Sequence, residues 1–249
     1  LVRIAEERIP CLSIMNMPPV PFLKRIPGLD TTQLELSFTD ARIWDRFDPD
    51  LVTLCSPDPQ AYRLPDETPN KLLVGLPTNF RAAAFGASEP NKLLNCLAAD
   101  IADVRLDDKD VPVKIRVFES LFIPLSKWSM LLTGNYRCIT PGNAIAINEA
   151  VHGDLEQSRE IYEYVEALVR RLGADPADQV PFEKYAAAAE NLLKPSSNAR
   201  AVEAGAPIVE RVDMLIQLIG RTLGMANSNV DQIVRTIDRK MAQNQRWSA

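Results

Sequence analysis

Two separated stretches of the chain carry the side chains that could do chemistry. The first runs from Ser126-Lys127-Trp128 to Asn135 and the second from Lys194-Pro195-Ser196-Ser197 to Glu210. Between them they offer an amine, an amide, a hydroxyl and a carboxylate, the groups needed to hold a small keto acid and protonate it. An ammonium beside a developing alkoxide stabilises the charge and can give up a proton, and burial tunes its pKa toward neutrality. A lysine next to a tryptophan also reads as a surface residue that lays its stem along apolar surface. Asn135, eight residues after Lys127, keeps both readings open. Among the 10 glycines there is no G-x-G-x-x-G and no P-loop, so the turn that would receive a cofactor phosphate is absent from these residues.

The elements that must position these groups change character along the chain. The opening reads as the end of an amphipathic helix running into a strand over residues 9–15. Residues 17–70 hold many of the 19 prolines and Asp-containing turns at Asp48-Pro49-Asp50 and Ser56-Pro57-Asp58-Pro59, so only short strands such as residues 51–55 fit there. Residues 71–76 and 80–85 are expected to pair, joined by Pro77-Thr78-Asn79. Ser88 is expected to cap a helix over residues 91–100, and residues 111–118 alternate as a further strand. From about Glu119 the spacing becomes helical. Asp154 and Gln157 make a capping box ahead of the stripe Ile161, Val165, Leu168 and Leu172, which Gly173 stops. Residues 182–193 predict another helix through their alanine run. Pro207 is placed at a first helical position before Val212, Leu215, Ile216, Ile219 and Leu223, and Ser228 with Asp231 opens a last helix.

The 249 residues suffice for one large domain or two small ones. A composition of 46% apolar and 24% charged residues with a net charge of -5 is that of a soluble globular protein. No clustered excess of Lys and Arg marks a nucleic-acid surface. No apolar run approaches the ~20 residues of a membrane span, and a start as charged as Arg3, Glu6, Glu7 and Arg8 is unlike a signal peptide; a cytoplasmic address is expected. Cys11, Cys55, Cys96 and Cys138 lack any C-x-x-C and read as reduced, mostly buried thiols. A single histidine, His152, beside Gly153 and Asp154, reads as a surface or capping residue and cannot build a multi-histidine metal centre.

The motifs now carry a resemblance. Ser196-Ser197, then Glu203-Ala204-Gly205-Ala206-Pro207, then Gly220-Arg221-Thr222-Leu223-Gly224 resemble the S-S…E-A-G-x-P…G-R-x-L-G run of the ketopantoate reductase (2-dehydropantoate 2-reductase) family, over roughly residues 118–241. Lys127 with Asn135 is similar to that family's K-x-x-x-N-x-x-x-N helix, and residues 9–16 to the strand ending in its Q-N-G turn. The resemblance implies an α/β fold: the remainder of a Rossmann-type dinucleotide-binding domain over residues 1–118, followed by an all-α domain over 119–249 of the kind found at the C-terminus of 6-phosphogluconate dehydrogenase. It further implies that ~90 residues bearing the cofactor's glycine turn precede Leu1, that NADP is the cofactor and a small 2-keto acid the substrate, and that two copies form a homodimer.

Carried over by position, the resemblance makes Lys127 the general acid that protonates the ketone oxygen. Asn135 and Ser197 would bind substrate, Asn16 would lie near the nicotinamide, and Glu210 would stand nearest the family's substrate-holding glutamate. The residues by themselves also allow Asn16 as a turn residue before Pro18-Pro19, Ser197 as the cap of a helix starting at Asn198, and Glu210 as a solvated charge. The chain departs from the pattern at Leu131, where the family has an asparagine, at Met15 and Met17 around Asn16, and at Val209 or Ile208, depending on where one gap is placed, where the glutamate itself falls. A helical residue step of ~100° separates Glu210 from that place. These departures point away from ketopantoate toward another 2-keto acid. Two other classes stay open, a small-molecule-binding or interaction module that has lost cofactor binding and a helical domain that only dimerises.

Overall fold

The computed structural model describes residues 2–56, 61–62, 73–74, 78–111 and 113–248. They form two compact units. One comprises Leu1–Ile26 and Arg42–Leu125, the other Pro27–Ala41 and Ser126–Ala249.

The first unit is built on a mixed four-stranded sheet. Helix α1 (Val2–Glu6) leads into β1 (Cys11–Ile14), followed by α2 (Val20–Leu23), β2 (Val52–Ser56), β3 (Ala61–Tyr62), β4 (Leu73–Val74), β5 (Thr78–Ala83), α3 (Ser88–Asp103), β6 (Arg105–Leu106), β7 (Lys109–Asp110) and β8 (Val113–Phe118). The sheet order is β1-β2-β5-β8. β1 runs parallel to β2 and β5 parallel to β8, while β2 and β5 are antiparallel. Every residue of β2 is buried, as a strand between neighbours on both sides requires. Cys55, Ala82, Phe85 and Leu94 form the core that joins α3 to the sheet.

Two local expectations are corrected here. Of the stretch at 71–76 the described residues, Leu73–Val74 (β4), pair with β3 and not with 80–85, and β5 takes its partners from β2 and β8. Residues 71, 72 and 75–77, and the turn at 57–59, lie outside the described residues. Ser88 is not a cap but the first residue of α3, which starts three residues earlier than expected, behind Ala87. Asn91 does the capping work from inside, accepting from Phe85 N and donating to Phe85 O and Ala87 O.

The second unit is helical. Its elements are a 3₁₀ turn, Thr31–Ser37, and the helices α4 (Lys127–Met130), α5 (Ile147–His152), α6 (Leu155–Arg171), α7 (Phe182–Ala189), α8 (Ser197–Glu203), α9 (Val212–Thr222) and α10 (Ser228–Ser248). Asp154 caps α6 by accepting from Gln157 N at 2.9 Å. The reciprocal half of the expected capping box is not formed, because Gln157 Oε1 accepts from Arg137 instead. α7 stops at Ala189 rather than 193, since the carbonyls of Leu192 and Lys194 are turned to receive the first N–H groups around α5. Tyr162, Phe182 and Tyr185 pack with Val151, Ala186 and Ala189 as one core. Among the described residues no helix is long and apolar enough to cross a membrane.

Candidate active site

Lys127 and Asn135 sit at the two ends of one helical passage, and the geometry between them is not that of a plain α-helix. After α4 the chain enters a π-helical turn, Leu131–Asn135, closed by Tyr136 N donating to Leu131 O at 2.9 Å. In an unbroken α-helix a step of eight residues would leave Asn135 about 80° round from Lys127, at ~100° per residue. The wider turn absorbs one residue, so the effective step is seven and the offset falls to about 20°. Both side chains are half-buried, and Leu131, buried at 7% exposure, stands between them. The face thus reads amine, isobutyl, amide, with an apolar contact where the family pattern has a second amide.

What opens the helix is legible in the packing. Tyr185 Oη donates to Met130 O at 3.1 Å, and a Cβ on Gly134 would overlap that same hydroxyl. Glycine at 134 therefore admits a tyrosine hydroxyl against the helix backbone.

Two further contacts gather the other expected residues at Asn135 and Tyr136. Ser196 Oγ donates to Asn135 O at 2.7 Å and accepts from Ala199 N at 3.1 Å. The cap of α8 is thus Ser196, buried and committed to backbone, whereas Ser197 is the first helical residue and exposed. The cap thus falls one residue before Ser197, because either serine satisfies the same sequence rule. Tyr136 Oη donates to Glu210 O at 2.8 Å and accepts from Val212 N at 3.0 Å. Burial pushes the Tyr136 phenol well above its ordinary value, so it stays a neutral donor. Tyr136 was not singled out in the sequence; a tyrosine beside the second amide of the pattern was the available signal.

Glu210 is not on a helix. Gly205, at φ +91°, ends α8 with Ala206 N donating to Ala201 O at 2.9 Å, and α9 starts only at Val212. Pro207 therefore follows a C-terminal cap rather than opening a helix, the other place where proline is favoured. Residues 208–210 therefore do not turn by a ~100° helical step, and Glu210 is not rotated away from position 209 on a helix. Of the remaining motif residues, Glu203 Oε1 accepts from Ala144 N at 3.1 Å, and Gly224, at φ +69°, terminates α9. Gly220 faces Tyr164, whose hydroxyl would overlap a Cβ there. Most of the resemblance is thus carried by residues that end or pack helices.

In the first unit, Asn16 lies half-buried just past the end of β1. His152 ends α5, exposed, with Nε2 3.0 Å from Ala186 O.

The resemblance implies a nicotinamide dinucleotide, and the described residues of the first unit do not fit its pyrophosphate. β1 is followed by Pro18 and Pro19 and by a four-residue helix containing Pro21, and prolines have no N–H to offer a phosphate. The turn from β5 to α3 is filled by its own chain: Asn91 takes Phe85 N at 2.7 Å, Ala87 N donates to Asp50 O at 3.1 Å, and Gly86 lies against the Asp50 carboxylate.

No protein-family model matches the sequence, and no curated protein matches it. The fold, a Rossmann-like sheet followed by a helical part, is shared with solved oxidoreductase structures. A candidate ketopantoate reductase from Ralstonia solanacearum MolK2 is similar over 93% of this chain, with a TM-score of 0.67 and 15% identity. D-mandelate dehydrogenase, solved with NADH and anilino(oxo)acetate, is similar over 82% of it, with a TM-score of 0.58 and 12% identity. The chain spans 68% of the first structure's length and 65% of the second's.

Proposed function

We propose that this chain forms the acceptor side of a 2-keto acid reductase, the part that holds the keto acid and protonates its oxygen. The observation that carries the reading is the π-helical turn, which brings Lys127 and Asn135 onto one half-buried helix face. The shared fold with a candidate ketopantoate reductase and with D-mandelate dehydrogenase supports it. In that class the hydride comes from a nicotinamide, and NADPH is the donor the family resemblance implies. Lys127 Nζ would give the proton to the oxygen as it gains negative charge. Asn135 would orient the substrate by its amide, Leu131 would favour an apolar substituent over a hydroxylated one, and Ser197 and Glu210 would border the site next to Asn135 and Tyr136.

Consumption of NADPH and of NADH by the purified protein, with a panel of linear and branched 2-keto acids, tests this. Lys127→Ala is expected to lower kcat by about 10²–10⁴, the range of general acid catalysis, with the fold intact by circular dichroism. Equal turnover by wild type and Lys127→Ala would sink the assignment. The filled β5–α3 turn favours a second reading, a keto-acid-binding module without turnover. Under that reading a keto acid raises the melting temperature while NADPH does not.

A further inference from the structure

Arg137 is a half-buried cation whose hydrogen-bond partners are all neutral. Its Nη1 donates to Ser158 Oγ and, at 3.4 Å, to Thr133 O, and its Nη2 donates to Gln157 Oε1 at 2.8 Å. Of its five N–H groups, Nε–H and one on Nη2 have no acceptor among the described residues, and no carboxylate there forms an ion pair with it. The carboxylate that acts on it, that of Asp154, caps α6 by accepting from Gln157 N. Burial lowers the affinity of the Arg137 guanidinium for its proton, the mark of a charge short of compensation. Arg211, in the same unit, shows the usual arrangement: its Nε and Nη2 fork onto Asp213 at 3.0 Å each, and Nη1 reaches Asp238 at 2.8 Å.

Arg137 lines a groove of about 180 Å³. Among the described residues that line it, Arg137 is the one that is charged and none is acidic. Ile139, Ile161 and Ile233 supply an apolar wall, and Thr140 and Asn229 a neutral polar edge. A second groove of about 260 Å³ differs in this respect, since Arg159 and Arg170 line it together with Glu163, Glu166 and Glu183. Neither Lys127 nor Asn135 lines this groove, which sets it apart from the Lys127 face.

We infer that the groove binds a small monocarboxylate with a short branched chain, its carboxylate on Arg137 and its chain against the three isoleucines. A lone cation with free forked donors selects a carboxylate, because planar bidentate pairing is what a guanidinium does best. The apolar wall selects against inorganic anions. Since Arg137 also holds Thr133 O, and Tyr136 lines the groove and closes the π turn, an occupant bears on the element that aligns Lys127 with Asn135. The inference does not depend on the reductase reading.

Calorimetric titration of the purified protein with isobutyrate tests it, with isobutyramide as the uncharged isostere. Isobutyrate is expected to saturate, and isobutyramide to bind at least about tenfold more weakly, the loss of a charge-assisted pair. Arg137→Gln removes the cation. Gln157→Glu instead sets a built-in carboxylate where Nη2 already donates, and needs no buried group deleted. Both are expected to weaken isobutyrate by about tenfold or more, Gln157→Glu without a fall in melting temperature. Lys127→Ala is expected to leave the affinity within about twofold, which separates this groove from the keto-acid site. Failure of isobutyrate to bind, unchanged affinity in Gln157→Glu, loss of affinity in Lys127→Ala, or displacement of isobutyrate by sulfate at equal concentration would each overturn the assignment.

Discussion

Arg211 and Asp213 meet where water barely reaches, with side chains 10% and 0% exposed. Burial outweighs the pull of Arg211 and holds the Asp213 carboxyl above its ordinary value. Arg211→Met would strand that carboxylate and is expected to cost about 3 kcal/mol at pH 7, the cost of breaking a buried pair from one side. The sign of the pH dependence follows. In the variant the folded state holds the Asp213 proton to a higher pH than the unfolded chain does, so stability falls as pH rises from the ordinary Asp range through the folded value. Urea titrations should therefore show a small deficit near pH 4 and the full one at pH 7; a deficit that grows toward acid would refute it. The cysteines divide by burial in a way their spacing could not tell. Cys55 and Cys138 are buried, but Cys96 is exposed and Cys11 half-exposed, so the expectation of mostly buried thiols holds for two. Burial also raises the Cys138 thiol. Iodoacetamide on the native protein should modify Cys96 first and spare Cys138, as peptide mapping would show.

At the scale of elements, the π turn ties together residues that the sequence leaves 60 or more positions apart. Tyr136→Phe would leave Glu210 O and Val212 N without their shared hydroxyl. That loss is expected to cost about 1–3 kcal/mol, the range for unsatisfied buried groups, with the melting temperature as readout. Gly134→Ala is expected to cost about 1–3 kcal/mol through overpacking against Tyr185. Tyr185→Phe should recover part of that loss in the double variant, and strict additivity would show that the hydroxyl is not what keeps 134 small. The long helices were legible because their apolar stripes have one strong period: the stripe from Ile161 to Leu172 predicts α6 (Leu155–Arg171) closely. The glycine stop at 173 was legible too, Gly173 having a positive φ. The π turn was not, because its cause is a hydroxyl arriving from residue 185, and local periodicity carries no trace of that.

At the scale of the molecule, one segment crosses the division that composition suggests. Pro27–Ala41 belongs to the helical unit, where its 3₁₀ turn packs on α9 with Leu34 fully buried. Leu34→Ala is expected to cost about 2–5 kcal/mol, as for other leucines cut from a core; a loss under ~1 kcal/mol in urea unfolding would show that this packing is not stabilising. The sequence by itself determined the class of fold, an α/β part followed by helices, because hydrophobic period and turn residues are local properties that each segment carries wherever it packs. It also supplied the names of the groups at the candidate site. Tertiary structure alone decided their use: that Ser196 rather than Ser197 is spent as a cap, that Glu210 sits outside a helix ahead of α9, and that Arg137 forms no ion pair among the described residues. Each of these depends on which distant atom fills a space or a hydrogen bond, and spacing along one chain does not encode that.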